Sequence, residues 1–162
     1  MELRQDFGDI EHDGELGPFP LEIRVQVSDQ LQRTWTPVLT ATGGGTITTS
    51  AVDGEWTRLP NGGIWVYYNI VVSGVSGVSG NLSITGLPSN LVCLGRVQPG
   101  QLGLYSGFTG LNGAPWGQWV QNQAIINLLE PGSSGTAFAN LAASKLTTSS
   151  SFSGTAVCNL PQ

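Results

Sequence analysis

Apolar and polar residues alternate with a period of two along much of this chain, the mark of strands that bury one face. The first such run is Leu21–Val27. Leu21, Ile23, Val25 and Val27 share one face, and Glu22, Arg24 and Gln26 the other. Residues 1–20 before it are acidic and interrupted by Gly8, Gly14, Gly17, Pro18 and Pro20, which predicts an extended arm. Ser28 to Arg33 reads as a linker or short helical turn.

From Thr34 onward, strand and turn signals follow one another closely. Thr34–Ala41 is β-rich, Gly43–Gly45 is a turn, and Thr46–Val52 is β-branched. Asp53-Gly54 has the composition of a tight turn, Glu55–Leu59 of a short strand, and Pro60–Gly63 of a hairpin turn. Ile64–Ser73, dense in Val, Ile, Trp and Tyr, is the strongest strand pattern. The doubled Gly-Val-Ser of residues 74–79 reads as a hairpin connection, and Asn81–Gly86 alternates again before Leu87-Pro88 ends it. Residues 91–106, 117–129 and 152–160 supply further strands, and the Ala-rich Gly135–Leu146 a short helix or turn. About eight to ten short strands in this order predict an all-β fold, an antiparallel β-sandwich of jelly-roll type. It would span residues 34–162 behind an N-terminal arm of residues 1–33.

Charge sharpens that division. Residues 1–33 carry eight acids and three arginines, whereas the following 129 residues carry only Asp53, Glu55, Glu130, Arg58, Arg96 and Lys145. Charged residues make up 10% of the chain, against about 25% in ordinary soluble proteins. A body with net zero charge is prone to associate, so burial against copies of itself is expected. A net charge of −5 argues against nucleic-acid binding, which needs a basic surface. No stretch approaches the ~20 apolar residues of a membrane span, so no membrane insertion is expected. The acidic N-terminus does not read as a secretory signal. Cys93 and Cys158 stand 65 positions apart with no ligand cluster around them. Two buried free thiols are the plainer reading, with a disulfide as the alternative that sequence cannot decide.

Catalytic chemistry has little to build on. His12, the only histidine, lies in the acidic arm, and no nucleophile elbow accompanies it. Asp53 and Glu55 could face the same way as a carboxylate pair, but solvated turn residues are the simpler account. No Gly-rich phosphate loop leads into a helix, and neither a cofactor nor a metal site is indicated. The chain is therefore expected not to be an enzyme. Aromatic residues are more informative. Trp116 and Trp119 lie in the uncharged stretch Asn112–Asn122, and Tyr105 and Phe108 in another Gly-rich segment. Neutral sugars are commonly held by aromatic faces beside amide and hydroxyl groups. The candidate ligand-binding residues are accordingly Trp116, Trp119, Tyr105, Tyr67, Asn112 and Gln118. Strand alternation would put Trp116 and Trp119 on opposite sides, one in the core and the other available. The competing account places both in the core or in a seam between subunits.

Several motifs in order resemble the C-terminal β-sandwich domain of bacteriophage tail fibres and tailspikes. The pattern opens at Thr34-Trp35-Thr36-Pro37, followed by the Gly/Thr-rich Val38–Ser50. Gly54 to Gly62 matches its hairpin, with Trp56 where Tyr is usual and with Pro60 as a departure. Asn81 to Pro88 matches its Leu-x-Ile-x-Gly-Leu-Pro element. Lys145 to Thr155 matches the closing segment, with Ala156 in place of the usual Tyr. The resemblance covers residues 34–158 and implies a homotrimer at the distal end of a fibre, in the virion, serving trimer formation, host-surface recognition or both. The short chain beginning at Met1 suggests a small complete fibre subunit whose arm replaces the usual shaft. Residues 1–33 would then dock on a phage baseplate or tail protein, ordering as they bind. Residues 34–162 would face a host surface glycan or other receptor. The alternatives are a lectin-like module without a structural virion role and a depolymerase of surface polysaccharide. Trp35 and Leu87 are expected in the core.

Overall fold

The computed structural model describes residues 32–60, 62–94, 96–98, 100–133 and 137–159. Its strands are β1 (Arg33–Trp35), β2 (Val38–Ala41), β3 (Thr46–Arg58), β4 (Ile64–Ser76), β5 (Leu82–Thr85) and β6 (Arg96–Gln98). They continue as β7 (Gly100–Gln101), β8 (Leu104–Ser106), β9 (Trp116–Trp119), β10 (Ile126–Pro131), β11 (Phe138–Asn140) and β12 (Ser151–Asn159), with a short 3-10 helix at Ala143–Lys145. Sheet one runs β1-β3-β4-β12, and β6 and β8 share the far edge of β12. Sheet two runs β2-β5-β10-β9-β7, and β11 lies beside β5 on one edge of β10. Every pairing is antiparallel, and the protein is an all-β sandwich.

The period-two pattern decides which side chains enter the core. Strand β4 buries Ile64, Val66, Tyr68, Ile70 and Val72, and β12 buries Phe152, Ala156 and Cys158. Sheet two answers with Leu39, Leu82, Ile84, Trp119, Ile126 and Leu128. Trp35 and Leu87 are both buried, in line with the sequence reading.

One register row organises sheet one. Trp35 of β1 pairs with Gly54 of β3, Gly54 with Tyr68 of β4, and Tyr68 with Gly154 of β12. Large rings thus alternate with glycines across four strands. A Cβ on Gly54 would come within 2.6 Å of the Trp35 indole nitrogen. That nitrogen donates to the carbonyls of Tyr67 (3.2 Å) and Glu55 (3.3 Å). A Cβ on Gly154 would come within 2.7 Å of the Tyr68 hydroxyl, and one on Gly117 of sheet two would collide with that same hydroxyl. This corrects the expected turn at Asp53-Gly54. The strand runs unbroken from Thr46 to Arg58, because Gly54 is a seat for an indole ring rather than a turn residue.

Other expectations need smaller corrections. The first Gly-Val-Ser copy completes β4, while the second forms a turn whose Ser79 exchanges backbone hydrogen bonds with Gly43 and Gly44. The Ala-rich segment holds both β11 and the 3-10 helix. Strand β1 already begins at Arg33, and the Leu21–Val27 strand pattern lies outside the described residues. The two thiols are joined: Cys93 and Cys158 form a disulfide with Cα atoms 5.6 Å apart. Their large sequence separation carried no signal, since only the approach of the segment after β5 to the end of β12 brings them together.

Two predictions follow from the core. The Tyr68 hydroxyl is buried and has no hydrogen-bond partner among the described residues. An unmet buried polar group costs about 1–3 kcal/mol, so Tyr68→Phe should raise stability by about that amount in urea unfolding. Burial also pushes the Tyr68 phenol well above its ordinary range. The fold therefore favours the neutral form, and its contribution is complete below the ordinary tyrosine pKa near 10 and is lost as pH rises above it. Tyr68→Phe should flatten that alkaline decline, and an unchanged decline would assign it to other groups.

The disulfide closes a loop of 65 residues, for which chain entropy gives about 4 kcal/mol of stabilisation. Reduction, or Cys93→Ser paired with Cys158→Ser, should lower unfolding stability by about that amount. Equal stability of the reduced and oxidised protein would contradict the bridge.

Candidate functional site

Alternation turns the side chains that do not enter the core into two outward faces. On sheet one, Trp65, Tyr67, Asn69 and Val71 of β4 stand beside Ser151, Ser153, Thr155 and Val157 of β12. These eight residues carry no charge. Asp53 and Glu55 border them from β3, where Glu55 accepts a hydrogen bond from Gln32. Leu104 of β8, paired with Ser153, extends this face at its other margin and is exposed.

On sheet two the outward residues fall into neighbouring rows. Gln118 pairs with Asn127, Asn127 with Ser83, and Ser83 with Thr40, which makes a row of neutral hydrogen-bonding groups across four strands. The Thr40 and Ser83 hydroxyls meet at 3.1 Å. Two residues further along the strands, about 7 Å away, Trp116, Leu129 and Asn140 form the next row. Beyond it, Pro131 pairs with Phe138. The Trp116 and Phe138 rings meet edge to face with centroids 5.2 Å apart, on either side of β10. Leu129 points outward between them yet is only 8% exposed, whereas Phe138 is 53% exposed. The carboxamides of Gln118, Asn127 and Asn140 make no hydrogen bond to any described residue.

The one acid of sheet two is turned away from this face. Glu130 follows the inward parity of Ile126 and Leu128 and is 3% exposed. Lys145 of the 3-10 helix reaches both of its carboxylate oxygens, at 2.6 and 2.8 Å. The same carboxylate accepts the Asn112 backbone N–H at 3.2 Å, and the Lys145 carbonyl accepts that of Thr109 at 2.9 Å. This part-buried ion pair ties the loop of residues 107–113 to β10 at Thr109 and Asn112, while the Thr147 and Ser150 hydroxyls donate to the Gly107 carbonyl. Gly113 lies so close to the Pro131 ring that a Cβ there would approach within 2.9 Å, which sets Asn112 beside the aromatic corner.

The six candidate residues therefore divide. Trp116, Gln118 and Asn112 come together at or beside the outward face of sheet two. Trp119 leaves the set: it is 1% exposed, and its indole nitrogen donates to the Gln123 carbonyl at 2.8 Å. The expected split between the two tryptophans is thus realised, with Trp119 inside and Trp116 outside. Tyr67 lies on the outward face of sheet one, and Tyr105 on β8 at the edge of that sheet, so neither joins Trp116. Sequence reading missed Phe138. Its only signal was a phenylalanine in an Ala/Gly/Ser stretch, and the pairing of β11 with β10 is what brings it to Trp116.

No sequence-family profile matches this chain, and neither does any curated protein. A solved structure does. The crystal structure of Dettilon tailspike protein (gp208) aligns with a TM-score of 0.68 and 24% sequence identity over 80% of this chain. The sandwich shares its fold with a part of that chain. The chain spans 23% of the length of that tailspike chain, so the likeness concerns one part of a much longer protein.

The buried ion pair generates a prediction. Removing one partner leaves an uncompensated buried charge, which costs about 3–5 kcal/mol. Lys145→Met should destabilise the protein by that amount in denaturant unfolding and loosen the Asn112 loop, seen as faster amide exchange at Thr109 and Asn112. A loss below about 1 kcal/mol would mean that solvent reaches Glu130.

Proposed function

We propose that this chain is a structural virion protein, a short phage tail fibre or tailspike module that recognises the host surface. The observation that supports the reading is the fold likeness to part of a tailspike over 80% of the chain, beside the Trp35-Thr36-Pro37 opening and the Asn81–Pro88 element of the sequence. Under this reading the sandwich trimerises. Neighbouring copies cover the outward face of sheet one, where Trp65, Tyr67, Val71 and Val157 alternate with Ser and Thr. Such a seam needs no ion pairs, in keeping with the six charges carried after residue 33. Residues 1–33 attach to a baseplate or tail protein. The outward face of sheet two, with Trp116 and Gln118, points to the host. The proposed role is binding: the features that favour it are aromatic rings and neutral amides.

Association and adsorption test the reading separately. The full chain should sediment at three times 17.0 kDa, equally at low and high salt, since screening acts on exposed charges. A monomer at both salts would overturn the trimer. Fluorescently labelled protein should adsorb to some strains in a broad bacterial panel and to others not at all. Trp116→Ala should weaken that adsorption about tenfold or more at unchanged mass. Adsorption to no strain would overturn host recognition.

A further inference from the structure

We propose that Asn112-Gly113 is a self-modifying site, where the folded chain converts its own asparagine to aspartate and isoaspartate and so places a negative charge beside the aromatic corner of sheet two. This holds whatever the chain recognises.

The chemistry needs a carboxamide, a following backbone nitrogen free to reach it, and no side chain in the way. The Gly113 nitrogen gives up its proton to base and attacks Cγ of Asn112. The new N–Cγ bond closes a succinimide ring, the Cγ–Nδ2 bond breaks, and Nδ2 leaves as ammonia. Water then opens the ring. Breaking the N–Cγ bond gives aspartate. Breaking the bond to the original main-chain carbonyl gives isoaspartate, with the main chain running through Cγ. Water is the only co-reactant, and nothing is oxidised or reduced.

Among the described residues these needs are met together at one place. Asn112 is exposed and lies between β8 and β9, outside any ladder. Glu130 holds its backbone N–H, but its carboxamide and the Gly113 N–H make no hydrogen bond to a described residue. The other described asparagines are followed by Ile, Leu or Gln, whose side chains obstruct the attack. In the second Asn-Gly pair of the chain, the Gly62 N–H is engaged, donating to the Leu59 carbonyl at 2.8 Å, while Asn61 lies outside the described residues. Asp53-Gly54 could close the same ring, but Gly54 is paired with Trp35 on one side and Tyr68 on the other, which holds its backbone extended.

The position gives the change a consequence. Oε2 of Glu130 accepts the Asn112 N–H at 3.2 Å and the Lys145 ammonium at 2.8 Å. A carboxylate at position 112 therefore arrives beside an acid that already engages Lys145, and like charges this close oppose each other. Isoaspartate adds a main-chain carbon immediately before Gly113, which packs so tightly that even a Cβ would come within 2.9 Å of the Pro131 ring. Both products work against the tether between the loop and β10.

The test holds the full folded chain at mildly alkaline pH and follows it by peptide mapping and ammonia release. Aspartate and isoaspartate should appear at position 112 at least about tenfold faster than at any other asparagine, Asn61 included. The rate should rise with pH, since base takes the Gly113 proton. Asn112→Gln should abolish release from this position, because closure would need a larger ring. The aged protein and Asn112→Asp should both show faster amide exchange at Thr109 than fresh wild type, with the fold retained. Asn112 still intact in the folded protein, when the same position in the urea-unfolded chain has reacted, would overturn the proposal, because the fold would then protect the site. Faster reaction at Asn61 or at any other asparagine would also overturn it. Equal Thr109 exchange in fresh, aged and Asn112→Asp protein would overturn the loosening of the loop.

Discussion

The row Trp35–Gly54–Tyr68–Gly154 is the constraint on which the sandwich depends. Two rings too large to stand side by side on adjacent strands are separated by residues with no side chain. Trp35 lies down over Gly54 and ties β1 to β3 and β4 through the carbonyls of Glu55 and Tyr67. Tyr68 stands between the sheets, and Gly117 of the facing sheet leaves room for its hydroxyl. That position fixes the register of β4 against both neighbours and places β9 opposite. Once β9 is placed, Trp119 must enter the core and Trp116 must leave it. Closely packed interiors leave little slack for such a set of rings to rearrange.

Among the described residues, one ion pair reaches into the sandwich. Glu130 and Lys145 are held together in a nearly uncharged body, where an unpaired charge would be costly. Their bond fastens a loop and a 3-10 helix to β10, and it removes the acid from the outer surface. The result is a sheet whose exposed side is purely neutral. The ion pair therefore acts on the candidate site indirectly, through what it takes away from that face and through the loop that it sets beside Pro131.

Sequence periodicity carried the fold class and most strand positions, because a sandwich buries alternate residues and this chain keeps that pattern strictly in Ile64–Val72 and Phe152–Cys158. The burial of Trp35 and Leu87 was expected from the motifs in which they stand, not from alternation, and both are buried. Sequence reading failed where a local signal had a tertiary cause. Asp53-Gly54 has the composition of a turn, but Gly54 answers to an indole arriving from another strand. Cys93 and Cys158 show no spacing that marks a bridge, because their meeting depends on two distant segments converging. The site was legible in part for the same reason. Trp116 and Gln118 could be placed on one face by alternation along a single strand. Phe138 belongs to a three-residue strand with no periodicity of its own, and its partnership with Trp116 exists only through the shared neighbour β10.

The Cys93–Cys158 bridge also settles how the domain would carry a mechanical load. Strands β6 to β11 and nearly all of β12 lie within the covalent ring that it closes. Tension applied between Gln32 and Asn159 runs through β1 to β5, crosses the sulfur atoms and bypasses the ring. The segment from Gln32 to Cys93 could be drawn out by on the order of 200 Å before force reached the bridge itself. Within the ring sit Trp116, Gln118, Asn127, Pro131 and Phe138, while Thr40 and Ser83 lie outside it. Under load, the polar end of the outward face would be pulled away first, and the aromatic corner would remain in a segment that the force does not enter.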